Sequence, residues 1–336
     1  MSTDHDIVEP DASAHSPRAP WPERRGPLAR LRRQRPSVPG SAPSLWARLR
    51  RDRLAVAGLV TIVFFLLVAI FAPLLSSLSG NDPYTYHLDA LDASGAPAGF
   101  GGGISAEHWF GVEPLTGRDL FSIVVHGSRT SLVVGLGATV VAMLLGTVVG
   151  LVAGYFGGWV DTLASRVIDV MFGFPSLIFM IALGAIVPVS FPRVLLLVLI
   201  IGFFGWASIA RVVRGQVLSL RKQGYVRAST ALGARHSHIL FKQILPNLSA
   251  TIVVFSTITI PATIGSEAAL SFLGVGVAPP TPSWGRSIGD AVTWFSVTPM
   301  YLVFPGAALF FITLAFNVFG DGLRDALDPR SRGVRS

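Results

Sequence analysis

Apolar and polar positions divide this chain into six long, nearly uncharged runs separated by polar connections. A helix needs about 20 mostly apolar residues to cross a hydrocarbon core about 30 Å thick. Leu54–Leu75, LAVAGLVTIVFFLLVAIFAPLL, meets that requirement without a charge, as does Ser131–Gly154. Four further runs lie at 166–187, 194–210, 248–274 and 300–319. The third opens with Arg166 and Asp169, and the fifth contains Pro261 and Glu267, so these two have the least sharp limits. The pattern predicts an all-α polytopic membrane protein with six transmembrane helices.

The connections have characters of their own. Residues 1–43, rich in Pro, Ser and Arg, read as a disordered basic tail whose arginines rest on anionic lipid. In 44–53, SLWARLRRDR, Leu45, Trp46 and Leu49 fall at helical spacing between arginines, which suits an interfacial helix leading into the first span. Segments 76–130 and 275–299 form loops on one side of the membrane. Segment 212–247 and the closing tail, 320–336, lie on the other.

Charge assigns the sides. Between Arg24 and Arg53 stand ten arginines against one acid, Asp52. If that end is cytoplasmic, the positive-inside bias predicts few basic residues in alternate loops. Only Arg118, Arg129, Arg193 and Arg286, out of 27 Lys and Arg, then fall outside. Both termini are accordingly expected in the cytoplasm. The formal net charge of +8 reads as topology rather than as a nucleic-acid footprint, because no aromatic interleaving or domain presents it. Composition agrees: 51% hydrophobic and 14% charged, against roughly 25% charged in soluble domains, rules out a water-soluble enzyme. The absence of cysteine removes disulfides, thiolate nucleophiles and thiolate metal sites.

Within the spans, Gly146, Gly150, Gly154 and Gly158 recur every fourth residue, a smooth ridge for close approach of another helix, with a partner inside this chain favoured. Pro175, Pro261 and Pro305 each remove an intrahelical hydrogen bond. Glu267 is expensive in lipid, so it faces protein or a watery path, pairing across the bundle or meeting substrate. Arg166 and Asp169, three apart, suit a local ion pair. Gly99–Gly103 reads as a flexible external loop. No G-x-x-x-x-G-K-[ST] is present, so the chain has no Walker-type nucleotide site. His236 and His238 stand in a basic loop without nearby carboxylates, and no metal is expected.

The segment 212–247 reads VVRGQVLSLRKQGYVRASTALGARHSHILFKQILPN. Tyr225–Leu232 suits a short helix, Gly233 a left-handed cap, and His238–Leu245 a second helix before Pro246. The result is a protruding knob.

These residues resemble the cytoplasmic signature of ABC importer permeases, E-A-A-x-x-x-G followed further on by L-P. Arg227, Ala228 and Ser229 take the first three places, Gly233 the glycine place, and Leu245-Pro246 the closing one, with arginine replacing the acid and serine the second alanine. Two further blocks resemble the second permease subunit of the dipeptide, oligopeptide and nickel importer branch. In HWFGVEPLTGRDLFSIVVHGSRTSL, His108, Gly111, Gly117, Arg118, Asp119, Ser122, Gly127, Arg129, Ser131 and Leu132 match, whereas Trp109, Phe110, Val112, Glu113 and Ile123 depart. The closing block runs from Ser283-Trp284-Gly285 through FNVFGDGLRDALDP, residues 316–329.

What the resemblance implies is a bacterial inner-membrane subunit of a type I ABC importer. It is not an enzyme and binds no cofactor itself, since ATP and Mg belong to partner ATPases. The implied partners are a homologous permease, two ATPases, an external substrate-binding protein and membrane lipid, with no nucleic acid. Peptide is the implied cargo, and nickel, glutathione or another small solute is the alternative; a self-contained secondary transporter would rest on Glu267 alone. Tyr225, Arg227, Ala228, Ser229, Gly233, Leu245 and Pro246 are expected to couple to an ATPase, and Glu267 and Pro261 to line the pathway or a helix interface. His108, Arg118, Asp119 and Trp284 are expected to dock the binding protein or to pack.

Overall fold

The computed structural model describes residues 45–188 and 190–327; the expected tail at 1–43 and the residues after 327 lie outside them. Asp52, the lone acid among the arginines, starts the first long helix, α2 (Arg53–Ile70). Its Oδ1 accepts the backbone N–H of Leu54 at 2.9 Å and of Ala55 at 3.2 Å, satisfying donors that a helix start leaves open. The turn needed for that cap shortens the preceding interfacial helix, α1, to Leu45–Leu49. Arg48 Nη1 donates to the Ala326 carbonyl at 3.3 Å, tying α1 to the end of the last helix. A short α3 (Ala72–Leu78), with Pro73 in its first turn, completes the first apolar run.

The second helix of the bundle, α4 (Leu120–Phe156), begins well before Ser131. Asp119 caps it, its Oδ2 accepting the Ser122 N–H at 2.8 Å, so residues expected in an external loop, Arg129 among them, are helical. The third run is not one straight span. It divides into α5 (Gly158–Gly173) and α6 (Ser176–Ile186), bent by 82° at Phe174-Pro175. Proline disfavours helical backbone at the residue before it, which places the break there. Helix α7 (Arg193–Leu220) continues beyond Ala210 and carries the expected start of the coupling segment as rigid helix.

After α7 come α8 (Gly224–Ala231) and α9 (His236–Ile239), which passes through a π turn, Leu240–Ile244, directly into α10 (Leu245–Phe272). The sequence suggests a stop at Pro246, but the helix runs through it. A proline ring strikes the carbonyl four residues earlier in a regular helix, and the wider π turn relieves that conflict. A short helix, α11 (Trp284–Ala291), and a long α12 (Met300–Leu327) close the bundle. Among the described residues five helices are long and apolar enough to cross a membrane, six if the bent pair counts as one.

The glycine ridge sets the centre of the packing. Helices α4 and α7 run parallel, and a Cβ at Gly150 would lie 2.6 Å from the Ala210 carbonyl oxygen and 2.8 Å from Val213 Cβ. Gly146 meets Ile209 and Gly154 meets Val217 in the same way, whereas Gly158 has open space and stands outside the ridge. The partner is within the chain. Helix α2 packs on α12, and α10 lies antiparallel to α4, against α12. One end of the bundle thus gathers the starts of α2 and α10, the ends of α4, α7 and α12, and α8; α11 and residues 79–119 lie at the far end.

The expected Arg166–Asp169 pair is replaced by ties between helices. Asp169 Oδ1 accepts Arg211 Nη2 at 2.9 Å, and both carboxylate oxygens of Asp161 accept the Arg214 guanidinium. Asp161 and Asp169 lie on one face of α5, turned to α7, and fasten a helix that otherwise buries only Ile168.

Candidate functional site

The knob is built on a reciprocal helix cap. Gly233, at φ +80°, donates its N–H to the Thr230 carbonyl, and the Ala234 N–H reaches the Ser229 carbonyl, each at 3.0 Å. These two bonds close α8 and satisfy its last carbonyls in a conformation that side chains disfavour and glycine adopts freely. Val226 is 1% exposed and belongs to one buried cluster with Tyr155, Val213, Val217, Ile239 and Ile244, which joins the knob to α4, α7 and the start of the α9–α10 helix. Ser229 Oγ accepts Gln243 Nε2 at 2.7 Å, and Tyr155 Oη meets His236 Nδ1 at 2.8 Å. The serine that replaces alanine in the signature is therefore an internal tie.

What remains outside is a compact surface. Tyr225, Arg227 and Ala228 are exposed, and Leu232 at the tip is 88% exposed. Pro246 is exposed and Leu245 half-buried, in the helix that carries motion from the knob into α10. Leu232 stands at the apex of an otherwise basic segment.

Glu267 and Pro261 are buried at helix interfaces. Glu267 has no exposure, and its carboxylate accepts the hydroxyls of Ser131, Ser271 and Ser283, each at 2.8 Å. Ser271 Oγ in turn accepts the Val277 N–H at 3.1 Å, and Ser283 caps α11. One carboxylate thus holds together α4, α10, the connecting loop and α11.

At the far end the structure turns all four expected docking residues inward. His108 Nδ1 lies 3.0 Å from Asp119 Oδ1, and Trp284 Nε1 donates to the Val124 carbonyl at 2.9 Å. Arg118 Nε donates to Glu113 Oε2 at 2.6 Å and its Nη1 to the Pro280 carbonyl at 3.1 Å. All four are buried and pack within the chain. Glu113, a departure from the family pattern, is the hub of this layer, also accepting Thr116 Oγ1 and Tyr301 Oη at 2.6 Å. Burial pushes its carboxyl up, but Arg118 and the two hydroxyls outweigh that and hold it below the ordinary value. Gly99–Gly103 is a tight turn of the same layer, with the Gly102 carbonyl accepting the Val112 N–H at 3.0 Å.

A bundle of apolar spanning helices with a capped knob at one end and a folded loop layer at the other is the architecture of a polytopic membrane protein. The chain belongs to the inner membrane components of binding-protein-dependent transport systems, the permeases of ABC importers: the family model so described matches residues 146–333. A second model, the N-terminal TM domain of oligopeptide transport permease C, matches residues 44–97. Among similar proteins are the dipeptide transport system permease protein DppC of Alkalihalophilus pseudofirmus, 41% identical over 85% of this chain and 88% of that one, and the oligopeptide transport system permease protein OppC of Bacillus subtilis, 40% identical over 86% and 91%. The glutathione transport system permease protein GsiD of Pectobacterium atrosepticum is 38% identical over 85% and 90%. The chain is a non-catalytic, multi-pass subunit of the inner membrane that works with ATPase and substrate-binding partners.

Proposed function

We propose that this chain forms half of the translocation path of a peptide importer, paired with a homologous permease and served by two ATPases that carry the ATP and Mg. Its termini and knob face the cytoplasm, and Tyr225–Gly233 seats in a groove of one ATPase. The observation that carries this reading is the knob itself, an exposed Leu232 tip and Tyr225–Ala228 face rooted through Val226 in three helices. Closure of the ATPases on ATP moves the knob, and the unbroken passage from α9 into α10 transmits the motion to the bundle, exchanging inward-facing and outward-facing states. Arg227 meets an acidic or polar surface of the ATPase, and Ala228 permits close approach. Peptide as cargo is supported by the two dipeptide and oligopeptide relatives, and glutathione is the second reading, supported by a relative of nearly equal identity.

Gly233→Val tests the assignment. A β-branched residue at φ +80° costs about 1–2 kcal/mol for the left-handed backbone alone, enough to shift the cap by roughly tenfold or more. In vesicles holding the complete transporter and its binding protein, ATP-driven peptide uptake is expected to fall about tenfold. Normal uptake, with the ATPases still co-purifying, would remove the knob from the coupling route.

A further inference from the structure

Beside the Glu113–Arg118 pair, at the end away from the knob, α11 and the loop layer enclose a cleft of about 350 Å³. Tyr86, Arg118, Arg286, Gly289, Asp290 and Trp294 are among its walls. The two arginines differ in one respect. Arg118 spends its donors inside the chain, on Glu113 and on the carbonyls of Pro83 and Pro280. Arg286 does not: Asp290 Oδ2 lies 3.1 Å from its Nε but off the N–H axis, so the enclosed Nε–H has no aligned acceptor. A buried guanidinium donor left in that state calls for an acceptor from elsewhere. Asp290, one turn along the same helix, is exposed at the rim of the cleft, so an entering carboxylate can replace it as the counter-ion of Arg286. Tyr86 and Trp294 offer flat surfaces that accept varied neighbours.

We propose that this cleft is a carboxylate site, in which Arg286 receives the C-terminal carboxylate of a peptide at the end of the bundle away from the knob. The proposal rests on the peptide reading above and deepens it. Peptides of different length and side chain share one group, the free α-carboxylate, so a site that reads it serves all of them. The planar fork of arginine matches that group in two parallel hydrogen bonds. Asp290 holds the guanidinium while the cleft is empty and gives way when a carboxylate enters.

The test uses the assembled transporter in lipid nanodiscs without its binding protein, with trialanine and trialanine amide as probes and saturation-transfer NMR as the readout. The acid is expected to bind roughly tenfold more tightly than the amide, and Arg286→Gln to abolish that preference. Asp290→Asn, which removes the competing carboxylate, is expected to tighten binding of the acid roughly threefold or more. A folding defect would weaken binding in both variants, so the opposite signs separate recognition from damage. Equal binding of acid and amide, or a preference that survives Arg286→Gln, overturns the proposal. So does a change confined to the binding-protein concentration that half-stimulates ATP hydrolysis, which would make the cleft a docking surface. Trialanine uptake by the complete wild-type transporter is measured separately: uptake without the carboxylate preference overturns this inference alone, and failure to take up any peptide overturns the peptide reading together with it.

Discussion

Gly150→Leu should remove nearly all folded permease from the membrane. Helices α4 and α7 touch through backbone at this position, where even a Cβ would lie 2.6 Å from the Ala210 carbonyl oxygen and 3.0 Å from the Arg214 backbone nitrogen. Neither atom belongs to a flexible side chain, so relief requires the helices to separate along the whole ridge. Overpacking a tight core costs about 1–3 kcal/mol for modest insertions, and a full leucine side chain at backbone contact lies at or beyond the upper end. In a membrane no hydrophobic driving force brings the helices back, because lipid solvates them as well as they solvate each other. Gly306→Ala in α12 is the control, since nothing lies within 4 Å of the added atom. Thermal unfolding of purified transporter in detergent should show Gly150→Ala destabilised, Gly150→Leu absent or aggregated, and Gly306→Ala unchanged or slightly stabilised. Equal behaviour of the Gly150 and Gly306 variants would mean that the ridge is not where the bundle is held.

The second large effect is expected at Glu267. Glu267→Ala leaves Ser131, Ser271 and Ser283 without their common acceptor at a site that has no access to water. Each stranded hydroxyl costs on the order of 1–3 kcal/mol, reduced where a serine turns to a carbonyl of its own helix. A net loss of about 3 kcal/mol is expected, with α11 detached from α10 because both the Ser283 cap and the Ser271–Val277 bond depend on the cluster. Glu267→Gln keeps the shape and one acceptor and should retain assembly and most uptake. Protease accessibility of the α11 segment, compared across the three proteins, reads this directly. An α11 as protected in Glu267→Ala as in wild type would show that the cluster is not what seats it.

The sequence marked some of these features because their cause is local. Gly233 could be read as a cap because a helix that ends in left-handed backbone wants glycine. The ridge could be read because a spacing of four places residues on one helix face. The first turns of α4, ahead of the apolar run at Ser131, are not legible in hydropathy, which weighs apolar content, whereas the helix begins at a capping carboxylate, Asp119. Pro175 marks a lost hydrogen bond, but the size of the bend there is not legible, because a window average registers that 166–187 is apolar and is blind to direction. Residues whose partners lie far along the chain were the least legible. Glu267 collects hydroxyls from α4 and from the cap of α11 as well as from its own helix, and Asp169 prefers Arg211 on α7 to its neighbour on α5. The polar residues of the far end look like a docking surface in a motif, and only the three-dimensional arrangement shows that Arg118 and Asp119 point inward at Glu113 and His108.

The account depends most on what covers the tip of the knob. The chain contains no cysteine, so Leu232→Cys places a single thiol at a residue that is 88% exposed. Labelled with a photoreactive maleimide in the assembled transporter and illuminated, that thiol should capture an ATPase subunit, with the yield changing between ATP-bound and nucleotide-free states. An adduct with the substrate-binding protein, or none with the ATPases in a complex shown to contain them, would contradict the account.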